Sequence, residues 1–160
     1  MYKKTIDYYL KSTWQGIANK YNVIASHFGI TQAMGYVLIN IHKEGTSVSQ
    51  LANSTGVKPT SLSRLLRNLE SLGLIFRKTN QQDKRSVKVF LTAVGIEKRE
   101  VAKQIVRDFN MYLENHLGVQ ETEALMTSLH KLDILISEYS PQINEEDFVK
   151  VNGIIKETIA

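Results

Sequence analysis

The sequence predicts a mainly α fold with a small β-hairpin wing: a winged helix-turn-helix between long flanking dimerisation helices. Three observations carry that prediction. Apolar residues recur at three- and four-residue steps along most of the chain. Two short helical segments meet at a tight turn containing Gly56. After Gly73 the apolar period drops to two for a pair of short runs, and helical spacing returns at Thr92.

The elements follow in order. From about residue 3 to 28, Ile6, Tyr9, Leu10, Trp14, Ile17, Tyr21, Ala25 and Phe28 form the stripe of a long amphipathic helix that stops at Gly29. Thr31 is placed to cap a second helix through Ile41, and HKEGT (42–46) is a polar break. Ser47 to Thr55 reads as a short helix carrying Val48, Leu51 and Ala52 inward. The next helix starts at Pro59, where the missing N–H costs nothing, and runs to about Leu72. Its apolar face is Leu62, Leu65, Leu66, Leu69 and Leu72. Leu74–Lys78 and Ser86–Leu91 are two strands joined by the polar loop TNQQDKR.

Thr92 is placed to cap a helix ending before Gly118, roughly 38 Å long at about 1.5 Å per residue. A last long helix spans about Gln120 to Tyr139, with Leu125, Met126, Leu129, Leu132, Ile136 and Tyr139 as its stripe, and Pro141 interrupts it. Beyond Pro141 the chain could form one more short helix, weakened by Gly153. Long apolar stripes with nothing evident to cover them point to a second copy of the chain. The expected division is a dimerisation region over 1–30 and 92–140, a winged helix-turn-helix lobe over 31–91 and a tail over 141–160.

Composition narrows the function. The chain has 160 residues, 42% hydrophobic and 22% charged, enough for a real core. With no cysteine, disulfides, thiolate metal sites and cysteine nucleophiles are excluded. No run approaches the roughly 18 apolar residues of a membrane span, and the charged N-terminus lacks a signal-peptide core, so a cytoplasmic protein is expected. Between residues 58 and 107, twelve bases face four acids, a local +8 within a chain of formal charge +4. A basic centre between acidic ends suits a polyanion, although a solvated charged face would look the same.

On the second short helix, Thr60, Ser61, Ser63, Arg64, Arg67, Asn68 and Ser71 lie opposite the leucines, and the first acid is Glu70. Hydroxyls permit close approach to bases and phosphates, and arginine grips guanine bidentately, as a recognition helix in the major groove requires. In the hairpin loop, Lys84 and Arg85 form a cationic tip suited to the minor groove. There Asp83 would orient the Arg85 guanidinium.

The segments SVSQLANSTGVKPTSLSRLLRNLESLGLIFRK, DKR and VFLTAVG, in that order between Ser47 and Gly95, resemble the MarR family of bacterial winged helix-turn-helix transcription regulators. The flanking helices fit that family's architecture over roughly residues 3 to 139. The resemblance implies an obligate homodimer on a pseudo-palindromic operator, generally a repressor released by a ligand. It places Thr60, Ser61, Ser63, Arg64 and Arg67 on recognition-helix positions and Arg85 on the minor-groove position. Lys58 departs from the pattern, which often has a capping Ser or Asp there; the cap is weaker by about 1 kcal/mol and a phosphate-seeking cation is gained.

The expected DNA-binding set is therefore Lys58, Pro59, Thr60, Ser61, Ser63, Arg64, Arg67, Lys84, Arg85 and Lys88, with double-stranded DNA and a second copy as partners. Trp14, Phe28, Met34 and Tyr36 are candidates to line a pocket for a small aromatic effector, with plain core as the alternative. No cofactor or metal is expected: His27, His42, His116 and His130 lack ligand spacing, and the thiol-based peroxide sensing of some relatives needs a cysteine. The acidic cluster Glu145, Glu146 and Asp147 suits a helix start rather than catalysis, and no enzyme is expected. The rival from another class is an interaction module whose basic face docks an acidic protein partner.

Overall fold

The computed structural model describes residues 4–79 and 87–141. Among the described residues six helices and three short strands follow one another: α1 (Ile6–Ser26), α2 (Gln32–Ile39), β1 (Thr46–Ser47), α3 (Val48–Thr55), α4 (Pro59–Ser71), β2 (Ile75–Thr79), β3 (Val87–Leu91), α5 (Ala93–Leu117) and α6 (Val119–Glu138). They divide into two compact units, Met1–Tyr112 and Leu113–Ala160.

The first unit holds the core. Val37 and Leu38 of α2, Leu51 of α3, Leu62, Leu66 and Leu69 of α4, and Val89 of β3 are fully buried together with Ile41. Each helical contribution comes at three- or four-residue steps, so each helix turns one stripe inward and leaves the rest wet. Leu72 departs from the expected leucine face and is 51% exposed. The helix ends at Ser71, Leu72 is its C-cap, and the chain reverses at Gly73 so that Leu74 takes the inward place.

Local chemistry sets the boundaries. Thr31 accepts from the Met34 amide at 3.2 Å and starts α2, which ends at Ile39 rather than Ile41. Asn40 stops it, its side-chain amide donating to the Tyr36 carbonyl at 2.9 Å. Ser47 begins α3 with a full capping box: its hydroxyl accepts from the Gln50 amide, and the Gln50 side chain accepts from the Ser47 amide. Gly56 closes α3 in the left-handed region at φ 63°, where a Cβ would be strained.

The polar break contains a strand that periodicity did not indicate. Thr46 and Ser47 pair antiparallel with Val89 and Lys88, giving a three-stranded sheet in the order β1-β3-β2. Thr46 is buried and its hydroxyl is satisfied twice, accepting from the His42 amide and donating to the Asn40 carbonyl. β2 and β3 pair from Ile75↔Leu91 to Thr79↔Val87.

The start of α5 is a junction. The Thr92 amide donates to the Leu74 carbonyl, and its hydroxyl donates to the Gly73 carbonyl while accepting from the Gly95 amide. One turn on, Lys98 donates to the Phe28 carbonyl at 2.7 Å and Arg99 to the Ile41 carbonyl at 3.2 Å. These cations sit on carbonyls just beyond α1 and α2, where positive charge is favoured. Two turns of one helix thereby hold the ends of α1, α2 and α4.

The second unit contains the C-terminal end of α5 and all of α6, and α6 has no buried residue. Its stripe stands open, with Met126 65%, Ile136 63% and Tyr139 75% exposed. α1 is similar, with Ile6, Tyr9, Leu10 and Trp14 exposed and only Ala25 buried. Among the described residues no helix is long and apolar enough to cross a membrane.

Candidate nucleic-acid interface

α4 presents the candidate recognition surface. Burial of Leu62, Leu66 and Leu69 fixes its rotation and leaves Lys58, Pro59, Thr60, Ser61, Ser63, Arg64 and Arg67 all exposed. Thr60, Ser63, Arg64 and Arg67 fall at helical offsets of three, four and seven, so they share one face. Pro59 occupies the first turn and Lys58 provides no side-chain cap. The unfilled cap matches the expectation at Lys58, and it leaves the first amides of α4 available to an anion. Glu70, the one acid on this helix, is ion-paired to Arg77 of β2 at 3.2 Å, so its charge does not oppose an approaching phosphate.

On the hairpin, Lys88 is exposed in the middle of β3. Asp83, Lys84 and Arg85 lie outside the described residues. Other cations in the basic segment are committed elsewhere: Lys98 and Arg99 hold carbonyls, Lys103 pairs with Glu100, and Arg107 donates to Gln104.

A second feature of the first unit is a cavity of about 250 Å³ between α1, α2 and α5. Its wall is Trp14, Tyr21 and Ala25 of α1, Ile30, then Gln32, Gly35, Tyr36 and Ile39 of α2, and Ala102, Ile105 and Val106 of α5. Among the described residues no charged side chain lines it. Of the four expected pocket residues, Trp14 and Tyr36 are there. Met34 instead belongs to the lobe core, and Phe28 is exposed beyond the end of α1. Periodicity marked Tyr21 and Ala25 only as stripe residues. Burial pushes the Tyr21 phenol above its ordinary value, and its ring meets Phe109 edge-on at 5.2 Å. At Gly35 α2 and α5 approach closely: a Cβ there would touch the Ala102 side chain at 3.4 Å. An apolar cavity of about 150 Å³ already accommodates benzene.

Among the described residues no group of three or more His, Asp or Glu could hold a metal ion. His27 is engaged locally, its Nδ1 donating to the Val23 carbonyl at 2.8 Å.

Residues 28–86 match the model of the MarR family. The structure of the Staphylococcus aureus MepR–DNA complex superposes with a TM-score of 0.77 at 26% identity, covering 84% of this chain and 99% of that one. The reduced form of MarR from E. coli gives 0.70 at 28% identity, covering 82% and 98%. The transcriptional regulator SlyA shares the fold, with a TM-score of 0.73 at 18% identity over 81% and 92%. Helix order and three-stranded sheet agree with these structures: the chain has the winged-helix fold of these regulators, and its residues 28–86 are similar to the MarR family.

Proposed function

We propose that this chain binds a pseudo-palindromic operator as a homodimer and acts as a repressor released by a small apolar effector. The observation that carries the reading is the acid-free, exposed face of Thr60, Ser63, Arg64 and Arg67, on a helix whose only carboxylate is already paired. MepR, of the same fold, is solved in complex with DNA, which supports the same partner for this lobe. Residues 31–91 form the DNA-binding lobe, 1–30 and 92–140 the dimerisation region, and 141–160 a tail with no assigned role.

In this reading α4 enters the major groove by its N-terminus. Arg64 and Arg67 read base edges, while Thr60, Ser61 and Ser63 contact bases and phosphates at close range. Lys58, the amides beyond Pro59 and Lys88 bind backbone phosphates; Lys84 and Arg85 serve the minor groove, with Asp83 orienting Arg85. A two-fold axis sets the second α4 about one helical turn, ~34 Å, along the duplex. The uncovered stripes of α1 and α6 support pairing with a second copy.

Arg64→Ala is expected to lose discrimination between cognate and random duplex by about 10-fold or more, from a base contact worth about 1–3 kcal/mol. Lys88→Ala is expected to weaken both duplexes equally. Titration of both variants on both duplexes checks this, and identical ratios for the two would remove the assigned roles.

The uncharged cavity supports an effector with one aromatic ring and no net charge. Since Trp14 is the only tryptophan in the chain, its emission reports that site alone. A saturable emission change on titration with phenol is expected, together with weaker operator binding; purely linear quenching would contradict the site. The effector acts by favouring one arrangement over another, so its leverage equals its differential affinity for the two.

A further inference from the structure

The outer face of the hairpin carries an arrangement that α4 does not explain. Register places Phe76 directly opposite Phe90, and Lys78 directly opposite Lys88. Side chains two apart on a strand share a face, so all four stand on one side of the sheet, and the pair of lysines is nearer the loop. Phe76 and Phe90 stack at 5.4 Å with 13° between their planes. The Phe90 ring also fills the place that a Cβ at Gly45 would take, at a backbone φ of 77°. The aromatic pair is therefore held from behind.

Lys78 lies against this platform, its ammonium 5.4 Å from the Phe76 centroid and 5.6 Å from that of Phe90. Among the described residues no carboxylate pairs with either lysine. Two like charges directly opposed on a ladder destabilise it. Their cost is relieved by an anion shared between them. The rings keep the Lys78 stem in one place, so little freedom remains to be lost when an anion arrives.

We propose that Lys78 and Lys88 form a two-lysine clamp for one backbone phosphate of duplex DNA, with Phe76 and Phe90 as the platform that positions Lys78. The proposal rests on the DNA-binding reading above and adds Lys78 and its aromatic support to the interface. Duplex DNA is the occupant because the hairpin lies in the same lobe as the cationic α4 face, and a phosphate supplies the missing negative charge. The clamp carries no sequence information; it fixes register and adds salt dependence.

The test is a salt titration of the full-length protein, Lys78→Gln and Lys78→Arg on a selected and a random duplex. Complete loss of one phosphate contact lowers the slope of log K against log salt by about 0.9, so a dimer changed in both protomers loses up to about 1.8, less where Lys88 retains part of the contact. The expected result for Lys78→Gln is that fall in slope, with equal weakening on both duplexes and no fall in Tm, since a like-charge repulsion has been removed. Lys78→Arg should keep the parental slope. An unchanged slope for Lys78→Gln overturns the clamp, as does a lowered Tm that Lys78→Arg does not restore. Failure of the underlying reading shows differently: the parent itself would prefer no duplex.

Discussion

A chain with glutamate at both Ile6 and Leu10 is expected to run as a monomer and to bind a two-half-site duplex about 10²- to 10⁴-fold more weakly than the parent, the range lost when two linked modules are separated. Both positions lie on α1, four residues apart and on one face, and both are exposed in the single chain. The lobe core from Val37 to Val89 contains neither, so helix content and the lobe's cooperative unfolding should persist. Sedimentation and anisotropy on the same samples check this. A dimer of parental affinity carrying both glutamates would mean that this part of α1 does not face a second copy.

Gly95→Ala is expected to destabilise the protein by about 3 kcal/mol or more, as overpacking against a fixed neighbour does. A Cβ at Gly95 would collide with the carbonyl oxygen of Leu74, which is backbone and cannot rotate away. That same oxygen accepts from the Thr92 amide at 3.0 Å, so retreat would break the junction that starts α5. Alanine gains about 1 kcal/mol in helix propensity over glycine, and the collision outweighs it. Urea unfolding of Gly95→Ala beside Gly16→Ala, where a Cβ meets nothing within 4 Å, separates the two effects. Equal stability of the two variants would show that the junction yields cheaply.

The parts of this fold with strong punctuation were legible from the residues. Thr92 and Gly118 bracket α5 to the residue, Ser47 and Gly56 bracket α3 in the same way, and α4 starts at Pro59 but ends at Ser71, one residue before the expected Leu72. β1 escaped because two residues have no period, and because Ser47 also carries the cap of α3. Pairing with β3 defines that strand, and pairing is a long-range property.

The cavity was half legible for a related reason. A helical stripe shows which side chains turn inward but not which of them face a void. Of the residues that aromatic character and size singled out, Trp14 and Tyr36 line the cavity, while Phe28 is exposed and Met34 lies in the lobe core. Ala102, Ile105 and Val106 carry no local signal at all; only the packing of α5 places them there.

Charge counting was the bluntest tool. The local excess over residues 58–107 included Lys98, Arg99, Lys103 and Arg107, all of which serve contacts within the chain. What remains for a polyanion among the described residues is Lys58 and Arg64 on or beside α4, Arg67, whose Nε also donates to the Ser63 carbonyl, and Lys78 and Lys88 on the sheet.

The central claim is sequence-specific recognition by a dimer, and selection of bound duplexes from a random pool at near-physiological salt tests it most directly. The account predicts enrichment of an inverted repeat with half-sites about one helical turn apart, bound with a steep salt dependence. No enrichment, with duplex binding that vanishes at modest salt, would contradict it and leave the basic face to an acidic protein partner.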